Sequence, residues 1–153
     1  MAADLSAAGR RKSRLRAELQ LLAARYGEVE SDRQDGTWVR VPHFPLSPGW
    51  SRNNVDVLID IPYGNPGYPQ IPPQWFWTDK DLRTSDGKPI GHFFTEGSSH
   101  ADRRYLDKGW GHFCIHVTDW RPASGFRLLD GHTLVSYLDL IAMVFRDRKK
   151  LAR

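Results

Sequence analysis

Apolar residues recur with a helical period near the start of the chain. Successive members of this stripe lie four, three and four residues apart: Leu15, Leu19, Leu22 and Tyr26. This spacing places the four side chains on one face of a helix, so we predict a helix over residues 10–26. Gly27 suits the residue that ends it, because glycine adopts the left-handed backbone common there. We expect residues 1–9 to be a flexible tail.

A second stripe lies near the end of the chain and predicts a helix over residues 131–147. Its members are Leu134, Leu138, Ile141 and Phe145. Asp130 is a plausible N-cap, since a side-chain oxygen accepts from the first free backbone amides. Basic residues at the far end suit the negative end of the helix dipole.

Between the helices, apolar and polar residues alternate as they do in strands. We predict strands over residues 37–44 and 54–61, the second with one apolar face made by Val55, Val57, Ile59 and Ile61. Pro42 lacks an amide hydrogen, which makes the first strand an edge or gives it a bulge. "QWFW" (74–77) and "FCIHV" (113–117) also have strand character.

The remaining segments are irregular. Residues 62–73 contain five prolines in twelve positions, which excludes a helix and predicts a rigid extended loop. Residues 78–111 are polar and glycine-rich without a clear period, and so long an irregular segment is usually functional or mobile. Strands bracketed by helices indicate an α+β fold rather than βαβ units, and we predict a single domain over residues 10–153.

Charge changes this picture only at the two ends. The chain has 22 basic and 18 acidic residues, with 40% apolar and 26% charged positions, which is typical of a globular protein. Its positive charge is concentrated in "RRKSRLR" (10–16) and "RDRKKLAR" (146–153). These runs are either solvated helix ends or an electrostatic patch for an acidic partner.

The chain has one cysteine, which excludes an intramolecular disulfide. We find no apolar run long enough for a signal peptide or a membrane helix. The expectation is a soluble cytoplasmic protein with a reduced thiol and no membrane partner.

That cysteine, Cys114, lies between His112 and His116 in "GWGHFCIHVTDWRP". In an extended segment all three side chains share one face. A metal site lacks the expected ligand spacing, even with His92 or His100 as a fourth ligand, so we predict none. A buried structural thiol and a nucleophile helped by imidazole both fit the residues, and the local pattern does not choose between them.

Two distant stretches taken together bear a family resemblance. "YPQIPP" (68–73) resembles the Tyr-Pro-x-x-Pro-Pro loop of the ubiquitin-conjugating enzymes, and Cys114 followed by "WRPA" (120–123) resembles their catalytic cysteine and Trp-x-Pro-Ala. The order of elements also agrees over residues 10–147. The nearer similarity is to bacterial homologues.

The resemblance implies the ubiquitin-conjugating fold, with an N-terminal helix, an antiparallel meander, a cysteine-bearing active-site segment and a C-terminal helix. It implies that Cys114 accepts a ubiquitin-like modifier from an activating enzyme as a thioester and passes it to an amine of an acceptor protein, without a cofactor. It further implies a structural wall beside the cysteine, made by Tyr68, Pro69, Pro72, Pro73, Trp120 and Pro122.

One departure concerns the site itself. The family's His-Pro-Asn motif upstream of the cysteine is missing, and its asparagine stabilises the oxyanion or orders the active-site loop. We predict His112 as the substitute donor, with nearby backbone amides as a second possibility. His116 and Asp119 are weaker candidates for the acid or base.

Partners and alternatives follow from the same comparison. In the family the first helix usually meets the activating enzyme or a ligase, so Arg11, Arg14 and Arg16 are candidate partner-binding residues. In bacterial relatives an antiphage role is the usual suggestion. The alternative is a catalytically weak or inactive binding module for a ubiquitin-like protein. A basic nucleic-acid-binding domain is a third hypothesis, which the resemblance does not favour.

Overall fold

The computed structural model describes residues 6–95, 105, 108–115, 117–125 and 127–147. Within them, two helices and six strands follow one another in the order α1 (Ala7–Tyr26), β1 (Glu30–Ser31), β2 (Trp38–Pro45), β3 (Asn54–Asp60), β4 (Trp75–Asp79), β5 (Phe93–Phe94), β6 (Trp110–Cys114) and α2 (Leu134–Arg146). The strands form one antiparallel sheet in the order β1-β2-β3-β4-β6-β5. The predicted α+β class is confirmed.

Both predicted helices exist, with different starting points. Helix α1 begins at Ala7 instead of residue 10, because the Ser6 hydroxyl accepts a hydrogen bond from the Gly9 amide at 3.0 Å. It ends at Tyr26, and Gly27 has the expected positive φ of 82°. Of the basic residues expected at the end of α2, Arg146 lies in its last turn, and those at 148–150 lie outside the described range.

The prediction of Asp130 as the N-cap of α2 is wrong. Thr133 is the N-cap and forms a capping box with Ser136. The helix cannot begin earlier, because His132 pairs as an isolated bridge with Pro122. Gly131 fits this close approach, since a Cβ there would lie 2.6 Å from the backbone nitrogen of Ala123.

The two predicted central strands and the short aromatic strand are present. Strand β2 lies between β1 and β3, so it is not an edge, and Pro42 instead sits in a bulge where the register shifts between Val41 and Phe44. Strands β1 and β5 were not predicted, because two residues each are too short to show a period.

The main core lies between one face of the sheet and the two helices. Strand β3 contributes its predicted alternating residues, and the helices contribute their predicted stripes; Val55, Val57, Ile59, Leu15, Leu22, Leu138, Ile141 and Phe145 are all buried. A smaller aromatic cluster covers the other face of the sheet, where Leu58 and Trp77 are buried beneath Trp38, Tyr105 and Trp110.

A buried carboxylate joins the helices to the proline-rich segment. The Glu18 side chain on α1 is 0% exposed. It pairs with Arg14 at 2.7 Å, accepts from the Tyr68 hydroxyl at 2.5 Å, and accepts from the Leu134 amide at 2.6 Å. A buried charge is tolerated only when it is paired and hydrogen-bonded, and here three donors from three segments meet that condition.

Arginine side chains extend these connections. Arg14 also donates to the carbonyl oxygens of Ala123 and His132. Arg11 is buried and donates to the carbonyl oxygens of Asp35, Gly36 and Pro62 at 2.7, 2.8 and 3.1 Å. Arg11 and Arg14, two arginines of the basic run, therefore stabilise the fold through hydrogen bonds to backbone carbonyl groups.

The turn after β1 is organised by Asp32. Its carboxylate accepts from the Thr37 hydroxyl at 2.6 Å and from backbone amides, including that of Thr37 at 3.1 Å. The hydrogen bond from the Thr37 side chain is the largest cause that lowers the pKa of Asp32 to about 2, although burial opposes it.

The described residues include no helix that combines the length and apolar composition needed to cross a membrane.

Replacing Glu18 with Ala should lower the free energy of unfolding by about 3–5 kcal/mol, because it leaves the largely buried Arg14 side chain uncompensated and two other donors without an acceptor. Denaturant unfolding measures this. Gln20→Ala, on an exposed position of the same helix, is the control and should stay within about 0.5 kcal/mol of wild type. A loss for Glu18→Ala no greater than for the control would contradict the structural role of the carboxylate.

Thr37→Val should reduce stability in a pH-dependent way. The pKa of Asp32 is about 2 when folded against an ordinary value of 3.8, so its contribution is complete above pH 3.8 and is lost as the pH falls through about 2. The difference in unfolding free energy between wild type and Thr37→Val should therefore shrink as the pH drops over that window. A difference that stays constant with pH would show that the hydroxyl does not act through the carboxylate.

Candidate active site

Cys114 is the last residue of β6 and is partly exposed. Phe113 is fully buried in the main core, and alternation along the strand places Cys114 on the opposite face of the sheet. Directly across from Cys114 on β4 is Trp75, whose side chain is 44% exposed. The thiol is thus carried at the end of a strand beside an exposed indole.

The backbone around the thiol is held from both sides. The Cys114 amide donates to the His92 carbonyl at 3.1 Å, and the Ile115 amide donates to the Gln74 carbonyl at 3.2 Å. The Val117 amide donates to the side-chain oxygen of Gln74 at 3.4 Å. These three amide groups are therefore already engaged, which weakens the expectation that backbone amides serve as the oxyanion donors.

The His112 side chain is buried among aromatic rings. It is 2% exposed, and its ring stacks on the Trp77 indole with centroids 4.5 Å apart and planes 27° apart. Trp75 and Phe94 contact it from further sides, at 6.0 and 6.1 Å. A role for His112 at the thiol stays a prediction, and its burial supports a part in the aromatic cluster on this face of the sheet.

The proline-rich segment and the segment after the cysteine meet through Trp120. Its indole N–H donates to the Pro69 carbonyl at 2.7 Å, and its ring lies 6.2 Å from that of Tyr68. On its other side the indole stacks on His132 at 5.2 Å, while His132 Nδ1 accepts from the Arg121 amide at 2.8 Å. Nearby, Pro73 is buried, and Pro72 and Pro122 are half-buried.

The other predicted residues are scattered. Asp119 is exposed, with a left-handed φ of 57°, and His116 lies outside the described residues. Arg11 and Arg14 are engaged inside the fold, whereas Arg16 is exposed on α1. A partner-binding role for this run stays a prediction and now rests mainly on Arg16.

Two residues near the thiol were not singled out from the sequence. His92 was considered only as a metal ligand, yet its carbonyl binds the Cys114 amide. Tyr137 on α2 is 1% exposed, and its hydroxyl has no hydrogen-bond partner within the described part of the chain. Burial chiefly raises the pKa of Tyr137, and its electrostatic interactions with Cys114 and Asp60 raise it further. In the sequence, Tyr137 lies next to the apolar stripe of the second helix, and that position indicates only a packing role.

A metal centre has no structural support among the residues that can be described. No group of three or more His, Cys, Asp or Glu side chains there could hold a metal ion. His100 and His116, two of the candidate ligands, lie outside that range.

The fold and the site together define a class: an α+β protein whose one cysteine ends a sheet strand close to a rigid proline-rich segment. The family model for prokaryotic E2 family E matches residues 16–138. This is more than half of the chain, which therefore belongs to that family, a bacterial family similar to the ubiquitin-conjugating enzymes. The resemblance stated from the sequence is confirmed. Neither a curated protein nor a solved structure matches the chain.

Trp120→Phe should cost about 1 kcal/mol of stability, because it keeps the ring stacking but leaves the Pro69 carbonyl without its donor. Urea unfolding measures the change. Trp75→Phe is the matched control, since the exposed Trp75 indole makes no hydrogen bond to the described residues, and it should stay within about 0.5 kcal/mol of wild type. Equal effects of the two substitutions would contradict the importance of the Trp120–Pro69 bond.

Proposed function

We propose that this protein is a conjugating enzyme that carries a ubiquitin-like modifier as a thioester on Cys114 and passes it to an amine of an acceptor protein. Membership of prokaryotic E2 family E is the observation that carries this proposal. The partial exposure of Cys114 at the end of β6 also supports it, because a buried structural thiol could not reach a protein partner.

The proposed chemistry has two acyl transfers. In the first, the Cys114 thiolate attacks the thioester that the modifier's C-terminus forms with the activating enzyme; the new S–C bond forms, and the activating enzyme's thiolate leaves. In the second, the acceptor amine attacks the same carbon, the C–S bond breaks, and the amine proton passes to solvent. No cofactor is needed on this enzyme.

The proposed wall has a structural part in this chemistry. Trp120 connects the segment after the cysteine to the proline-rich segment through Pro69 and Tyr68. Tyr68 in turn donates a hydrogen bond to the buried Glu18 carboxylate. We assign Tyr68, Pro69, Pro72, Pro73, Trp120 and Pro122 to holding the surface on which the thioester lies. His116 and Asp119 stay candidate proton acceptors.

The setting we propose is a bacterial conjugation pathway in the cytoplasm, with an activating-enzyme-like protein and a ubiquitin-like modifier as partners and antiphage defence as its purpose. The bacterial relatives that the sequence resembles are usually given this context. The presence of a free thiol is consistent with a reducing compartment.

The second candidate is a binding module of the same fold that holds a ubiquitin-like protein without transferring it. The missing asparagine favours it, whereas the retained, partly exposed cysteine favours the enzyme. A nucleic-acid-binding function has less support, because Arg11 and Arg14 are used within the fold and cannot contact phosphates without leaving it.

The decisive experiment combines the protein with its proposed partners, an activating-enzyme-like protein and a bacterial ubiquitin-like modifier, together with ATP. Wild type should give an adduct on a non-reducing gel that thiol reagents remove. Cys114→Ala should give none. Cys114→Ser, the matched variant, should give a slower-forming adduct that thiol reagents leave intact, because an oxygen ester does not exchange with thiols.

The absence of an adduct on wild type, when the activating enzyme is itself charged, would overturn the enzymatic proposal. Stable co-elution with the modifier in that case would favour the binding module.

A further inference from the structure

The oxyanion formed at Cys114 needs a hydrogen-bond donor, and three of the described backbone amides around the thiol are already engaged. Attack on a thioester places negative charge on the carbonyl oxygen, and enzymes stabilise such charge with donors already in position. The amides of Cys114, Ile115 and Val117 already donate to His92 and Gln74. A side-chain donor could fill this role, and the asparagine that serves it in the ubiquitin-conjugating enzymes is missing from this sequence.

His92 lies immediately beside Cys114 at the edge of the sheet. Strands β5 and β6 are antiparallel, with Phe93 opposite Phe113 and Phe94 opposite His112. Continuing this register by one residue places His92 opposite Cys114, and the hydrogen bond from the Cys114 amide to the His92 carbonyl, at 3.1 Å, agrees with it. The two residues are therefore neighbours across the β5–β6 edge of the sheet.

The imidazole of His92 is available for this role, unlike that of His112. His92 is exposed, and its side chain makes no hydrogen bond or ion pair with the described residues. His112 is 2% exposed and stacked on Trp77. His92 also has a left-handed φ of 57°. Side chains other than glycine adopt this backbone rarely, and such residues cluster at functional sites.

Resting on the proposed function, we propose that His92 is a catalytic residue whose imidazole N–H donates a hydrogen bond to the thioester carbonyl oxygen on Cys114. As the acceptor amine forms the new C–N bond, the carbonyl electron pair moves onto that oxygen, and the hydrogen bond shortens. The pair then re-forms the carbonyl as the C–S bond breaks and its electrons return to sulfur. The amine proton passes to solvent, and the His92 imidazole acts only as the hydrogen-bond donor to the oxygen.

The test uses the full chain and a defined probe. A fluorescent peptide with a C-terminal glycine, activated as the thioester of a small thiol, exchanges onto the one cysteine of the chain. Intact mass verifies complete loading, and excess probe is removed. Discharge to free lysine is then followed with time.

His92→Ala and His92→Gly should both slow discharge by at least tenfold, since loss of one oxyanion donor typically costs about 10²–10³ in rate. They act oppositely on the backbone, because glycine adopts a positive φ freely and alanine does not. His92→Asn keeps a donor and tolerates the left-handed backbone, so it should discharge within about threefold of wild type. His43→Ala is the matched control: His43 is also exposed with a positive φ of 65°, but lies on β2, separated from β6 by β3 and β4.

Several outcomes would overturn the inference. One is discharge of His92→Ala and His92→Gly within about twofold of wild type. Another is a discharge rate that falls only where stability falls, so that His92→Gly stays active while His92→Ala is impaired and unfolds at a lower denaturant concentration. That result would show that His92 acts through its backbone conformation. A third is discharge of His92→Asn as slow as that of His92→Ala. The proposed function fails separately if wild type, once loaded, passes the peptide to lysine no faster than the small-thiol thioester does.

Discussion

The buried carboxylate of Glu18 is the interaction on which the rest of the structure depends. It has no contact with solvent, and its two oxygens are shared by Arg14 on its own helix, Tyr68 in the proline-rich segment and the first amide of α2. A carboxylate in this position would be unfavourable with any of these donors missing. The folded arrangement therefore brings two remote segments, around Tyr68 and Leu134, to a single residue on α1.

Glu18 is also connected to the segments beside the candidate site through a closed series of contacts. Arg14 reaches the carbonyl of His132, His132 stacks on Trp120, and Trp120 donates to Pro69, the neighbour of Tyr68. The proline-rich segment and the segment after the cysteine are thus held against each other by these contacts. Cys114 takes no part in these hydrogen bonds and ring contacts. It is held on the sheet by the pairing of β6, so the two segments and the thiol are positioned by separate sets of contacts.

Strand topology decides what surrounds the thiol. Because β6 lies between β4 and β5, Cys114 has Trp75 on one flank and His92 on the other. His112, nearer in sequence, is turned into the aromatic cluster over Trp77. The cross-strand neighbours Trp75 and His92 were not predicted from the sequence, because they depend on which strands pair with β6.

The sequence by itself determined both helices, the main strands and the core-facing residues, because each depends on periodicity within a short span. It also indicated the family, because two short motifs occur in the same order as in the ubiquitin-conjugating enzymes. It also indicated the cysteine on which the proposed chemistry depends. Only the tertiary structure decided that Glu18 is the buried centre, that Arg11 and Arg14 point into the fold, that α2 starts at Leu134, and that His92 is next to Cys114. These contacts join residues from 22 positions apart, as for His92 and Cys114, to 118 apart, as for Arg14 and His132. No local pattern encodes them, because they arise when the sheet and the helices pack together.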